Sequence, residues 1–366
     1  MKKIGTIGPA VVGVLLMSGL AACGSDSKAA SGSQEALELR VNTYLPNTHF
    51  YITKGWEPFI DSVKKGTDGK VVFEVAGQEA LGPAVESLNL LRSGVAGAAE
   101  TTAGYHSADL PMAQISGAYG WESGALASQA AWQMCNSEPW VSEFKKAGVV
   151  PIGCSGTPPY ELFTSGKPIT GIPDAFDGLK VRTVGIQSEI VKALGAEPQT
   201  IPAPELYESL DRGVVDGYLL PRVGVFPLGL EELNKYVTEG MNAFSSGFAM
   251  QLISQETWDK FTDETKKVVI QAGKELSLAD GSEYDNQYTE LVENGKGLLD
   301  NPPTVYKLSP EEQAAMVAAS DEALDAWAGA RADEGLGDQA DEAVSAVREL
   351  RDLEPAPIDE WADFAY

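Results

Sequence analysis

The chain has 366 residues, 43% of them hydrophobic, enough to bury a full core and to build two lobes rather than one. Its formal net charge is −26, with 53 acids against 27 lysines and arginines. Affinity for phosphate backbones needs clustered basic side chains, so this balance disfavours nucleic acid as a partner.

The first residues read as an export signal. Lys2 and Lys3 precede an apolar run from Ile4 to Leu20, and Leu20-Ala21-Ala22-Cys23 is a small-residue box of the lipoprotein type, with Cys23 as the lipidated mature N-terminus. The alternative, an uncleaved membrane anchor, is poor because Gly5, Gly8, Pro9, Gly13 and Gly19 interrupt the run and leave the cysteine unexplained. Either reading puts the body outside the cytoplasm, and the lipoprotein reading holds it by a lipid to the outer face of the cytoplasmic membrane. Residues 1–22 are the signal peptide, and residues 23–36 are small and polar, a flexible tether. Without the signal peptide the charge becomes −28, and nearly half of it lies in Ser309–Tyr366, where 16 acids face 3 arginines. That segment reads as a solvated helical face. A global negative field works against an anionic ligand, so capture of one needs a local cation, and a neutral or cationic ligand stays open.

Leu37-Glu38-Leu39-Arg40-Val41 alternates as a strand, a helix follows with Trp56, Phe59, Ile60 and Val63, and Val71, Phe73 and Val75 mark the next strand. The intervening loop holds Tyr44, His49, Phe50 and Tyr51, with His49 a candidate ligand contact against the alternative of simple packing. Gly77-Gln78-Glu79-Ala80-Leu81-Gly82 leads to a helix carrying Val85, Leu88 and Leu91, and then comes Thr102-Ala103-Gly104-Tyr105-His106-Ser107-Ala108. Cys135 and Cys154 are either a disulfide, which stabilises by about 3 kcal/mol on the chain-entropy model, or two buried free thiols. Thr157-Pro158-Pro159-Tyr160-Glu161-Leu162-Phe163 reads as a crossing strand.

The most informative stretch is Asp177–Pro221. Leu179 and Val181 alternate with Lys180 and Arg182, so Arg182 ends a half-buried strand on its polar side. Ile186, Ile190 and Leu194 then form a helical stripe stopped by Gly195, which places Arg182 beside a helix N-terminus, where backbone N–H groups, the helix dipole and a guanidinium together suit a carboxylate. The plainer alternative is an exposed ion pair. Pro204 opens a second helix with Leu206, Tyr207 and Leu210 on its buried face, and a strand runs from Val214 and Val215 to Tyr218, Leu219, Leu220 and Pro221. Strand and helix alternate, the pattern of an α/β layer whose ligands sit outside the carboxyl ends of strands. Phe244–Leu252 reads as a returning strand, with Phe244 and Phe248 facing either the crevice or the core. A helix of roughly 33 residues, about 50 Å long if continuous, spans Thr262–Asn294, with Gly273 and Gly281 as candidate bends. Ser309-Pro310-Glu311-Glu312 is a capping box that opens another helix.

Gly178–Arg182, Leu194–Ala196, Glu205, Tyr207, Leu210, Gly213–Gly217 and Pro221 match a recurring run, and on those residues the chain resembles the solute receptors of TRAP-type transporters, the DctP family. The resemblance covers roughly residues 37–300. It implies an α/β, two-lobe periplasmic-binding-protein-like fold with a hinge and a long helix crossing both lobes. Lobe I is then 37–158 with 246–285, and lobe II is 159–245 with 286–366. It also implies that Arg182 grips the carboxylate of an organic acid, that Tyr105 is a pocket residue, and that separate integral membrane subunits receive the ligand. Two departures bear on ligand class. Glu161 stands where the family often has a second ligand-binding arginine, and Tyr218-Leu219-Leu220 replaces a polar Gln-Glu-Asn. A dicarboxylate held at both ends would lack partners, so a monocarboxylate with an apolar or aromatic body is expected. The expected ligand contacts are Arg182, Tyr160, Tyr218, Tyr105, Phe244, His49 and Glu161.

No enzyme signature competes. The chain has no Gly-x-Ser-x-Gly elbow, phosphate loop or dinucleotide fingerprint, and its two histidines, His49 and His106, do not suggest a zinc site or a triad. No metal, cofactor or catalytic residue is expected. The alternatives are a receptor for an ATP-driven importer, a secreted hydrolase built on paired carboxylates, and a structural envelope lipoprotein.

Overall fold

A computed structural model describes residues 33–172, 174–245, 247–293 and 302–362. Cys23 and the rest of the export signal lie outside the described residues.

The chain first builds β1 (Leu37–Asn42), α1 (Glu57–Gly66), β2 (Val71–Ala76), α2 (Ser87–Arg92) and β3 (Ala98–Thr102), then α3 (Gly124–Cys135), α4 (Trp140–Ala147) and β4 (Val149–Ser155). It crosses into a second layer of β5 (Glu161–Thr164), β6 (Lys180–Thr183), α5 (Gln187–Ala193), β7 (Glu197–Thr200), α6 (Leu206–Asp211), β8 (Gly217–Leu220) and β9 (Tyr236–Glu239). β10 (Ala249–Ser254), α7 (Gln255–Trp258) and α8 (Asp263–Tyr288) follow, and then β11 (Thr304–Lys307), α9 (Pro310–Asp333) and α10 (Gly337–Leu350). Two sheets result, with strand orders β2-β1-β3-β10-β4 and β11-β9-β5-β8-β6-β7. β10 runs antiparallel between β3 and β4, so a segment distant in sequence completes the first lobe. β5 is likewise antiparallel between β8 and β9 in the second.

Several elements form for the reasons visible in the sequence. Ser309 and Glu312 make the reciprocal capping box that starts α9. Trp56, Phe59 and Phe73 interlock edge to face at ring separations of 5.3 and 5.2 Å, which joins α1 to β2. Cys135 at the end of α3 is disulfide-bonded to Cys154 in β4.

Other expectations are corrected. β10 starts at Ala249, so Phe244 precedes the strand. Tyr207 is 46% exposed, leaving Leu206 as the buried residue of α6. α8 ends at Tyr288 and passes into a wider turn, Thr289–Glu293. Its glycines serve contact rather than bending. A Cβ at Gly273 would lie 1.5 Å from the Ile152 carbonyl oxygen, and one at Gly281 would lie 2.1 Å from that of Gly124, so their bare backbones let α8 lie directly on β4 and α3. The chain after α10 packs back against α8 and α3. The Trp361 carbonyl accepts from Lys274 Nζ at 2.8 Å, and the Trp132 indole donates to the Ala362 carbonyl at 2.7 Å. Burial of the Trp361 ring beside Trp132 supplies the driving force.

Candidate ligand cavity

Arg182 is only 2% exposed, because its strand is covered on the side that the sequence marks as polar. β6 lies between β7 and β8, with Arg182 opposite Gln199 and Tyr218. Its Nε donates to the Ile201 carbonyl at 2.8 Å and the Tyr105 hydroxyl lies close enough to interact with the guanidinium, while Nη1 is sealed from solvent with no hydrogen-bond partner among the described residues. Such a donor is costly unless something accepts from it.

The start of α5 does not share the task. The amide of Val184 is bonded to Gln187 Oε1 at 3.1 Å and that of Ile186 to the Gln114 carbonyl at 3.0 Å. The helix-terminus part of the sequence reading therefore fails, and charge recognition falls to the guanidinium.

Arg182 borders a cavity at the carboxyl ends of strands from both sheets, with about 70 Å³ open to the centres of water-sized spheres. Lobe I contributes Tyr44, His49 and Tyr51 from the loop after β1, Thr102 at the end of β3, Tyr105, and Tyr284 of α8. Tyr160 enters from the crossing strand. Lobe II supplies Val184, Ala203, Leu220 and Pro221, with Gly224, Pro227 and Leu228 as an apolar roof. Among these described lining residues Arg182 is the only charged side chain. The Tyr105 hydroxyl accepts from the Ala203 amide at 2.8 Å, a bond that joins the lobes beside the guanidinium. At about 70 Å³ the space is smaller than an engineered cavity of about 150 Å³ that takes up benzene.

Burial keeps the walls neutral. It raises the phenols of Tyr44, Tyr51, Tyr105 and Tyr284, so they remain donors, and lowers His49 to about 4, so its ring is uncharged at neutral pH. Behind the tyrosines lie two fully buried carboxyls. Glu100 accepts from the Trp56 indole at 2.7 Å, and Asp280 accepts from Ser155 Oγ at 2.7 Å. Burial pushes Glu100 up to about 7 and Asp280 well above the usual carboxylate range. These acids therefore oppose the field of Arg182 less than their formal charges suggest.

Of the seven residues expected to touch ligand, the structure brings Arg182, Tyr105, Tyr160 and His49 to the cavity. Tyr218 is turned into the second sheet, its ring stacked on Phe163 at 5.0 Å and its hydroxyl donating to Asn234 at 2.8 Å. Phe244 is fully buried in the core, and only its carbonyl reaches the crossing strand, where it accepts from the Tyr160 amide at 2.9 Å. Glu161 faces away from the cavity and pairs with Arg222 at 2.6 Å, which also holds Glu239 at 2.8 Å. The double ion pair explains this, since Arg222 holds both carboxylates in a half-enclosed cluster. Tyr284 was missed by sequence reasoning, as one aromatic on a long helix carries no signal of what faces it.

The family model for bacterial extracellular solute-binding proteins, family 7 (DctP), matches residues 41–330. The chain belongs to this family. An uncharacterized protein of Sinorhizobium fredii is 31% identical over 220 residues, which cover 59% of this chain and 40% of that one. The C4-dicarboxylate-binding periplasmic protein of Rhodobacter capsulatus is 31% identical over 165 residues, 43% of this chain and 46% of that one. The match thus spans less than half the length of either relative. A marine-metagenome TRAP solute-binding protein specific for aromatic acids, solved with 3-hydroxybenzoate, superposes with a TM-score of 0.76 at 22% identity, over 89% of this chain and 99% of that one. Its likeness establishes the two-lobe fold.

Proposed function

We propose that this family member is the extracytoplasmic receptor of a TRAP-type transporter, that it captures a monocarboxylate with an aromatic or apolar body, and that it delivers the acid to separate membrane subunits. The observation that carries the reading is Arg182, whose sealed Nη1 lacks an acceptor in a cavity otherwise walled by neutral groups. A carboxylate supplies that acceptor in a charge-assisted bond. The body of the ligand meets tyrosine rings on one side and Leu220, Pro227 and Leu228 on the other. A second carboxylate would be desolvated against that apolar roof without a cation, which favours the monocarboxylate over the dicarboxylate named for the Rhodobacter relative. The aromatic-acid specificity of the marine relative supports the same class. Closure follows from differential binding: a ligand touching both lobes stabilises the shut form by its extra contacts, and no chemistry is required.

Calorimetry with benzoate and succinate tests the reading. Benzoate is expected to bind saturably and succinate at least about tenfold more weakly, the weight of one unpaired polar group. Tighter binding of succinate would overturn it. The sequence at Leu20–Cys23 supports attachment through a lipid on Cys23. Cys23→Ser should then move the protein from the membrane fraction to the soluble fraction; an unchanged distribution would remove the anchor from the proposal.

A further inference from the structure

We infer that His49 reads a second group of the ligand: its Nε2–H donates to a hydroxyl or oxo oxygen remote from the carboxylate, so the preferred solute is a hydroxy- or oxo-substituted aromatic acid. This rests on the proposed role of Arg182 and adds the opposite end of the ligand. His49 Nδ1 accepts a hydrogen bond from the Tyr51 amide at 3.1 Å, inside its own loop. A ring nitrogen that accepts carries no proton, so in the neutral imidazole the proton sits on Nε2. The ring orientation is fixed as well, stacked on Phe50 at 4.4 Å and edge-on to Tyr51 at 5.2 Å.

Nε2 has no hydrogen-bond partner among the described residues, yet it is not among the polar atoms sealed without one. His49 as a whole is 7% exposed and lines the cavity, so the access left to Nε2 is access to that space. The result is an uncharged donor that lines the same cavity as the Arg182 cation. A ligand with a carboxylate for Arg182 and an acceptor oxygen for His49 bonds to both lobes at once, and this gives closure a polar contact that a plain apolar acid lacks. The donor is uncharged, so it selects for an oxygen acceptor without demanding a second anion.

The test is the ratio of dissociation constants for benzoate and 3-hydroxybenzoate, measured by calorimetry on the wild type, His49→Asn and His49→Gln. Asparagine can keep the acceptor for the Tyr51 amide while withdrawing the far donor, whereas glutamine reaches the position of Nε2. The wild type should favour 3-hydroxybenzoate by about tenfold, the typical weight of one neutral hydrogen bond. The ratio should fall to about one in His49→Asn and recover in His49→Gln. A wild-type ratio near one, or a ratio retained in His49→Asn, overturns the inference while leaving Arg182 in place. Binding of neither acid to the wild type overturns the reading of the cavity itself. Far-ultraviolet circular dichroism separates loss of the contact from loss of the fold.

Discussion

Replacing Arg182 with methionine tests the centre of the argument, because two effects on the empty protein nearly cancel while the effect on binding does not. The substitution removes the Nε bond to the Ile201 carbonyl, a loss of about 1 kcal/mol. It also relieves the burial of Nη1, a donor without an acceptor, which destabilises the native state by about 1–3 kcal/mol. Methionine has a similar length and no charge, so the empty variant should match the wild type or exceed it by up to about 2 kcal/mol. Ligand at 100 times its dissociation constant adds about 2.7 kcal/mol to wild-type stability, worth about 3–4 °C in melting temperature for a chain of this size. Differential scanning fluorimetry with benzoate should show that shift in the wild type and none in Arg182→Met. A variant that keeps the shift, or one whose empty form loses more than about 3 kcal/mol, would show the arginine to be a structural tie.

Three further predictions follow from the same coordinates. Gly273→Ala places a methyl 1.5 Å from the Ile152 carbonyl oxygen, so α8 must move off β4; a loss of about 3 kcal/mol or more is expected in urea melts, and an unchanged midpoint would show that the helix is free to shift. Tyr218→Phe removes only the bond to Asn234, so about 1 kcal/mol of stability should go while benzoate affinity stays the same; weaker binding would return Tyr218 to the list of contacts. The third concerns pH. Burial raises Glu100 to about 7, so between its ordinary 4.5 and that value the native chain holds more protons than the unfolded one, and stability falls as pH rises. His49 and His106, both lowered to about 4 from 6.5, act in the opposite sense below pH 6.5. Glu143 and Glu161, also raised to about 7, titrate in the same window as Glu100, so the difference between two proteins isolates it: Glu100→Gln should be more stable than the wild type by up to about 3 kcal/mol at pH 8. Parallel stability profiles for the two proteins between pH 6.5 and 8 would refute the buried carboxyl as the cause.

Local pattern alone determined much of this protein. The alternation in Lys180–Thr183, the glycine stops and the capping box at Ser309 are satisfied by neighbours in the chain, so they were legible without coordinates. The match from Gly178 to Pro221 likewise pointed to both the family and Arg182, because motif spacing is a property of sequence.

What covers each element was decided only by the tertiary structure. Whether the polar face of β6 meets water or a closed cavity depends on β7, β8 and the Tyr105 loop, which arrive from other parts of the chain. Tyr218 and Glu161 were misplaced for the same reason. Their residue types suited a pocket, but one ring stacks within the sheet and the other side chain pairs with Arg222. Gly273 and Gly281 read as bends until Ile152 and Gly124 were seen against them. Local forces are encoded by adjacent residues, whereas burial is a property of the neighbours that folding brings from a distance.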